Sequence, residues 1–149
     1  MEKLLNNKQF CRILVFLLLV LLIGIRVFEK QLFYDPLMLF FKGNYQNQNL
    51  PNFESAKLFL NISLRYFMNT LLSLGIVYII FKDRAQLVFL CWVYLGLYVL
   101  LILVFAFLLL NTESPDYLVL FYVRRFLIQP IPLLLFVPAL FYQKMMNKS

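Results

Sequence analysis

Residues 13–25 read Ile13-Leu14-Val15-Phe16-Leu17-Leu18-Leu19-Val20-Leu21-Leu22-Ile23-Gly24-Ile25, an unbroken run of apolar residues. Extended to about Phe10 and Phe28, it reaches the roughly 20 residues that a helix needs to cross a bilayer. Three more stretches meet the same length, at about 58–81, 87–110 and 118–142. Composition agrees. Of the 149 residues, 63% are hydrophobic and 14% charged, against about 45–50% and about 25% in a soluble domain. The mean hydropathy is +0.82. So few charges cannot cover a water-exposed surface, which excludes a soluble enzyme, a nucleic-acid-binding domain and a disordered tail. The expected fold class is an all-α integral membrane protein, a single membrane domain over 1–149 built as a bundle of four transmembrane helices.

The first span passes one test before it counts. Lys3, Lys8 and Arg12 precede an apolar core as in a signal peptide, but Arg26-Val27-Phe28-Glu29-Lys30 follows, without a small-x-small cleavage pattern. It reads as a retained anchor whose Arg26 snorkels to the interface. Lys82 and Arg84 mark the second loop and Lys144 and Lys148 the tail, whereas the third loop holds Glu113 and Asp116 and no cation. The first loop is mixed, with Lys30, Lys42 and Lys57 beside the acids Glu29, Asp35 and Glu54. Taken over all loops, the positive-inside rule favours both termini in the cytoplasm, with those acids in an outer loop. In the long first loop, Asp35-Pro36 reads as a helix start. An interfacial helix over about 36–42 would lay Leu37 to Phe41 on the membrane surface; an irregular loop is the alternative.

Much chemistry is excluded. The chain has no histidine, hence no Ser-His-Asp triad, no Cys-His pair and no imidazole metal site. Cys11 and Cys91 form no metal or redox motif, and Cys91 reads as a small buried side chain. The four glycines form no phosphate-cradling loop. Asn61-Ile62-Ser63 is a glycosylation sequon only by chance, since it opens a span. No carboxylate lies inside a span, so a proton relay lacks a carrier. No catalytic residue, metal site or cofactor is expected.

The informative residues are polar ones within the spans. Asn61, Arg65, Asn69 and Ser73 are spaced by four and make one stripe on the second helix. Lipid cannot satisfy such a stripe, so it should face other helices or a wet cavity. On the fourth helix Arg125 and Gln129 share a face, with Arg124 beside them. Pro130, Pro132 and Pro138 each lack an amide, which frees the carbonyls of Phe126, Ile128 and Leu134. Arg65 and Arg124 each lie eight residues beyond a loop residue, or roughly 12 Å along their helices. With Arg26 and Arg125, four arginines approach the outer leaflet with no acid expected at their depth. An arginine at a helix centre costs about 2.5–3.5 kcal/mol to insert. Three offsets are open: outer-loop carboxylates and freed carbonyls fold onto the guanidiniums, an anionic lipid phosphate binds them, or a partner protein supplies the acceptors. Arginine rather than lysine favours fork-like contacts with carboxylate, phosphate or backbone oxygen. The third span carries no charge and reads as lipid-facing packing.

The segments Arg65-Tyr66-Phe67-Met68-Asn69-Thr70-Leu71-Leu72-Ser73-Leu74 and Phe121-Tyr122-Val123-Arg124-Arg125-Phe126-Leu127-Ile128-Gln129-Pro130 resemble the exosortase F system-associated membrane proteins. So do Gln31-Leu32-Phe33-Tyr34-Asp35-Pro36 and Pro138-Ala139-Leu140-Phe141-Tyr142-Gln143, and the likeness covers nearly the whole chain. The resemblance implies a multi-pass protein of the bacterial cytoplasmic (inner) membrane that accompanies an exosortase, a polytopic transpeptidase-like enzyme handling C-terminal sorting signals. Exosortase chemistry is attributed to Cys, Arg and His; without histidine, this chain resembles the helper and not the sortase. The expected function is a non-catalytic accessory subunit in protein sorting. Its partner- or anion-binding site would comprise Arg65, Asn69, Arg124, Arg125, Gln129 and Arg26. The expected partners are a polytopic membrane protein such as an exosortase, and membrane lipids, anionic ones included, with no nucleic acid. The alternative is a small lipid-handling transporter or enzyme that binds a phospholipid or polyprenyl phosphate.

Overall fold

The computed structural model describes residues 7–44, 49, 52, 54–111 and 117–148, and its described elements are all helical. Helix α1 (Lys8–Val27) starts at Asn7, whose side chain accepts a hydrogen bond from the Gln9 amide at 3.1 Å. A one-turn helix α2 (Glu29–Leu32) follows almost directly, and a five-residue helix α3 (Pro36–Phe40) begins after an extended Phe33. Then come α4 (Ser55–Phe81) and α5 (Arg84–Leu110), joined by Lys82 and Asp83 alone. Lys82 closes α4 in the left-handed conformation, and the Asp83 carboxylate accepts from the Ala85 amide to cap α5. Helices α6 (Tyr117–Ile128) and α7 (Ile131–Met146) complete the chain.

The helices α1, α4 and α5 are each long and apolar enough to cross a membrane. The stretch expected as one fourth span is instead a broken one, α6 and α7 meeting at a bend of 62°. The break falls at Gln129-Pro130, where Pro130 and Pro132 supply no amides to continue the ladder. The outward faces carry large apolar side chains, Phe16 on α1 and Trp92 on α5 among them. Such a surface suits hydrocarbon and not water. Cys91 is also exposed there, not buried as its sequence context suggested.

Helix α4 is the axis of the bundle. It packs against α1, α5 and α6, and its buried face includes Leu58, Ile62, Tyr66 and Ile76. The antiparallel α4–α5 pair is registered by polar contacts: Ser63 Oγ lies 2.7 Å from Tyr98 Oη, and Tyr66 Oη donates to the Tyr94 carbonyl at 2.7 Å. Phe59 meets Phe105 edge-on at the far end. As expected of the polar stripe, Arg65, Asn69 and Ser73 are all buried between helices.

The short helix α3 forms where Asp35-Pro36 marks a helix start, but most of its apolar side chains turn to the bundle and not away from it. Leu37, Met38 and Phe40 are buried against the bundle, and only Leu39 is turned outward. Phe40 packs edge-to-face on Tyr117, and Phe41 on Phe121. These aromatic contacts tie the first connection to α6, and aromatic pairs of this kind add stability beyond their buried area.

The broken span is held by a donor from α4. Asn69 Nδ2 donates to the Ile128 carbonyl at 2.9 Å, the acceptor that Pro132 leaves without its usual amide. Asn69→Ala should lower stability by about 0.6–1.7 kcal/mol, the span measured for interhelical hydrogen bonds in membranes. In a Pro132→Ala background the restored amide takes that carbonyl, and the loss should be markedly smaller. Reversible unfolding of the four proteins in detergent checks this, and equal losses in both backgrounds would contradict it.

Candidate functional site

At the α2–α3 end of the bundle, the arginines meet carboxylates that the spacing of spans did not place at their depth. Arg65 Nη2 donates to Glu29 Oε2, and Arg65 Nη1 lies 3.9 Å from Asp35 Oδ2. Arg124 grips Asp35 as a fork, Nη2 on Oδ2 and Nε on Oδ1 at 3.3 Å. Arg26 Nη1 donates to the same Glu29 oxygen at 2.9 Å. The Arg65 and Asp35 side chains are 2% and 3% exposed, and Arg124 is 7% exposed. Three guanidiniums thus share two carboxylates, leaving one positive charge in excess. Rings add to this: Arg65 stands over Phe33 at 5.4 Å and Arg124 over Phe41 at 5.9 Å. Arg65 Nε is buried without a hydrogen-bond partner.

The local chain explains how the acids arrive. Glu29 sits two residues beyond the end of α1, directly after its cap Phe28, so it is presented at the height of that helix's terminus. Asn61 then pins the connection: its Nδ2 donates to the Lys57 carbonyl at 2.8 Å, and its Oδ1 accepts the Tyr34 amide at 3.3 Å. That places Asp35 above Arg124, and buried Leu37 and Phe40 hold it there. Asp35 does stand at the start of α3, before Pro36 at the first position, yet its side chain makes no capping bond. The guanidinium wins, because a charge-assisted fork in a low-dielectric site is stronger than a cap facing water.

The expected site residues divide into two groups. Arg65, Asn69 and Arg124 face the bundle interior. Arg125 is exposed, and its Nε donates to Gln129 Oε1 at 3.1 Å. Consecutive residues on a helix point about 100° apart, so Arg124 and Arg125 cannot share one face. Arg26 is half exposed at the rim. Of the first offset, the carboxylate part is what the structure contains. The one freed carbonyl seen to accept a side chain, that of Ile128, takes Asn69 and not a guanidinium. Glu29 and Asp35 were read as outer-loop acids; the usable signal was a surplus of intramembrane arginine beside acids flanked by Phe33, Leu37 and Phe40. Glu54 is instead bound to Lys57 at 2.7 Å, and Glu113 and Asp116 lie outside the described residues.

Arg124 and the exposed group border one cavity of about 170 Å³, which Arg65 and Asn69 do not line. Arg26, Lys42, Arg124, Arg125 and Gln129 line it over an apolar floor that includes Phe41, Phe121 and Ile128, and Glu29 is the sole acid among its described lining residues. Since Glu29 already serves Arg26 and Arg65, the cavity is electropositive. It is sized for an anionic group such as a carboxylate or phosphate. Among the described residues, no set of three or more His, Cys, Asp or Glu side chains converges to hold a metal ion. Comparison of the chain with protein-family models, curated proteins and solved structures gives no match.

The ion pairs make a sharp energetic expectation. Asp35→Leu strands Arg124 in a buried site and should cost about 3–5 kcal/mol, as for a broken buried pair. Asp35→Leu combined with Arg124→Leu removes both charges and should recover most of that loss. Thermal unfolding in one detergent reads the coupling; a double variant as unstable as Asp35→Leu alone would show that the loss does not come from a stranded Arg124 charge.

Proposed function

We propose that this chain is a non-catalytic accessory subunit of an exosortase-type protein sorting or processing system in the bacterial cytoplasmic membrane. In this reading its electropositive cavity receives a carboxylate from a polytopic partner protein. The observation that carries the reading is the charge imbalance around that cavity: of its four cationic side chains, Arg124 is paired with Asp35 and Arg26 shares Glu29 with Arg65, while Lys42 and Arg125 meet no carboxylate among the described residues. An uncompensated guanidinium at such a site gains most from an acceptor that comes from outside the chain. A catalytic role has little to draw on, since Glu29 and Asp35, the two acids of the arginine cluster among the described residues, are committed to its guanidiniums and the sequence has no histidine.

The orientation follows from charge. Lys8, Arg12, Lys82 and Arg84 gather at the end of the bundle away from the cavity, and Lys144 and Lys148 close the chain. The positive-inside rule puts that end, and both termini, in the cytoplasm. The cavity then opens near the outer leaflet, where exported proteins would be handled. The second reading, a small lipid-handling protein, draws support from the exposure of Arg125 on the helix surface, within reach of a phospholipid or polyprenyl phosphate.

Because Arg65 and Arg124 hold the fold, the informative variants are those at the rim. Arg125→Leu combined with Lys42→Leu should leave the folded protein intact and reduce recovery of its partner at least tenfold. The measurement is gentle affinity purification from native membranes, with mass spectrometry of co-eluting proteins and lipids. A polytopic partner retained equally by the double variant would overturn the assignment. A defined anionic lipid in place of any protein, lost on the same substitutions, would favour lipid handling.

A further inference from the structure

We propose that the opposite end of the bundle holds a binding site for one anionic phospholipid, in the groove between the first turns of α1 and the last turn of α4. It is separate from the arginine cavity and does not rest on the function assigned to it. The groove has a volume of about 570 Å³, within the roughly 300–1,000 Å³ typical of ligand sites. Its walls are apolar, formed by Val15, Phe16, Leu19, Ile79 and Ile80, and its rim carries Lys8, Arg12 and Lys82. No acid occurs among the described lining residues.

Three features identify the occupant as an amphiphile and not a soluble anion. Lys8, Arg12, Val15 and Leu19 follow the spacing that keeps residues on one face of a helix. Charge therefore sits at one end of the groove and hydrocarbon along the rest, the order of a lipid headgroup and its chain. Deeper in the bundle α1 and α4 approach closely: a Cβ placed on Gly75 would lie 3.5 Å from Leu18 Cδ1. The groove is thus closed below and open at the charged end. Lys82 is the third feature. It has φ 54°, and among the described residues it is the only one other than glycine with positive φ. Glycine fits this helix-ending position without strain; a lysine held there puts an ammonium on the rim, and strain of this kind collects at binding sites.

Native mass spectrometry of the detergent-solubilised protein, titrated with phosphatidylglycerol and with phosphatidylcholine of the same chains, tests this. Wild-type protein should bind one phosphatidylglycerol at least tenfold more tightly than phosphatidylcholine, since each cation near a membrane surface contributes about fivefold. Arg12→Gln with Lys82→Gln should erase the preference, whereas Arg84→Gln with Lys148→Gln, equal in charge removed and outside the groove, should preserve it. Val15→Trp, which fills the groove and leaves every charge, should weaken binding of both lipids. Equal binding of the two lipids by the wild type overturns the proposal without any variant. So does an equal loss in both glutamine pairs, which would mark diffuse charge attraction and not a site.

Discussion

A guanidinium carried into hydrocarbon loses the water that would solvate it, and in this protein a connecting segment takes the place of that water. Asp35 accepts the Arg124 fork and lies near Arg65, while Glu29 bridges Arg65 and Arg26. The desolvation of each buried ion amounts to several kcal/mol, and only close geometry with satisfied lone pairs offsets it. Much else depends on meeting that condition. Asn61 pins the backbone at Tyr34, α3 turns its apolar side chains inward, and Phe40 and Phe41 lock the connection to α6. Helix α4 becomes the axis because it carries the stripe that needs partners.

The spans were legible because hydrophobic length is a property of the chain alone. The α1, α4 and α5 helices lie where the apolar runs put them, and Arg65, Asn69 and Ser73 of the polar stripe face other helices for the reason its spacing implied, while Asn61 at its end turns to the connection. The fourth span was legible as apolar but not as broken. Proline removes an amide whether a helix merely kinks or stops, and here Asn69 supplies a donor to the Ile128 carbonyl that makes the break tolerable. The placement of α3 was illegible for a similar reason: an apolar pentapeptide after Asp35-Pro36 suits a membrane surface and a protein groove equally. Only the neighbours Tyr117 and Phe121, far along the chain, decide between them.

The site was half legible. The residue types were right, since arginines in a membrane need acceptors. Which acceptors they find depends on the fold of a connection whose acids look like ordinary loop charges. The adjacent pair Arg124 and Arg125 shows the consequence. Helix geometry divides them, so one holds the fold together and the other faces outward with Gln129. The excess positive charge is therefore spread around a small cavity bordered by structural and free-standing cations together. At the other end Lys8, Arg12 and Lys82 crown an apolar groove, so the two ends of one small bundle carry two different basic surfaces.

The central claim is that the buried arginines are neutralised from within, by acids of the first connection. The most direct measurement is solid-state NMR of the isotopically labelled protein in lipid bilayers, reading the distance from the Arg124 guanidinium nitrogens to the Asp35 carboxyl carbon. The account predicts ion-pair contact, with Arg65 coupled to Glu29 in the same sample. An Asp35 carboxyl that contacts water and no arginine nitrogen would contradict it.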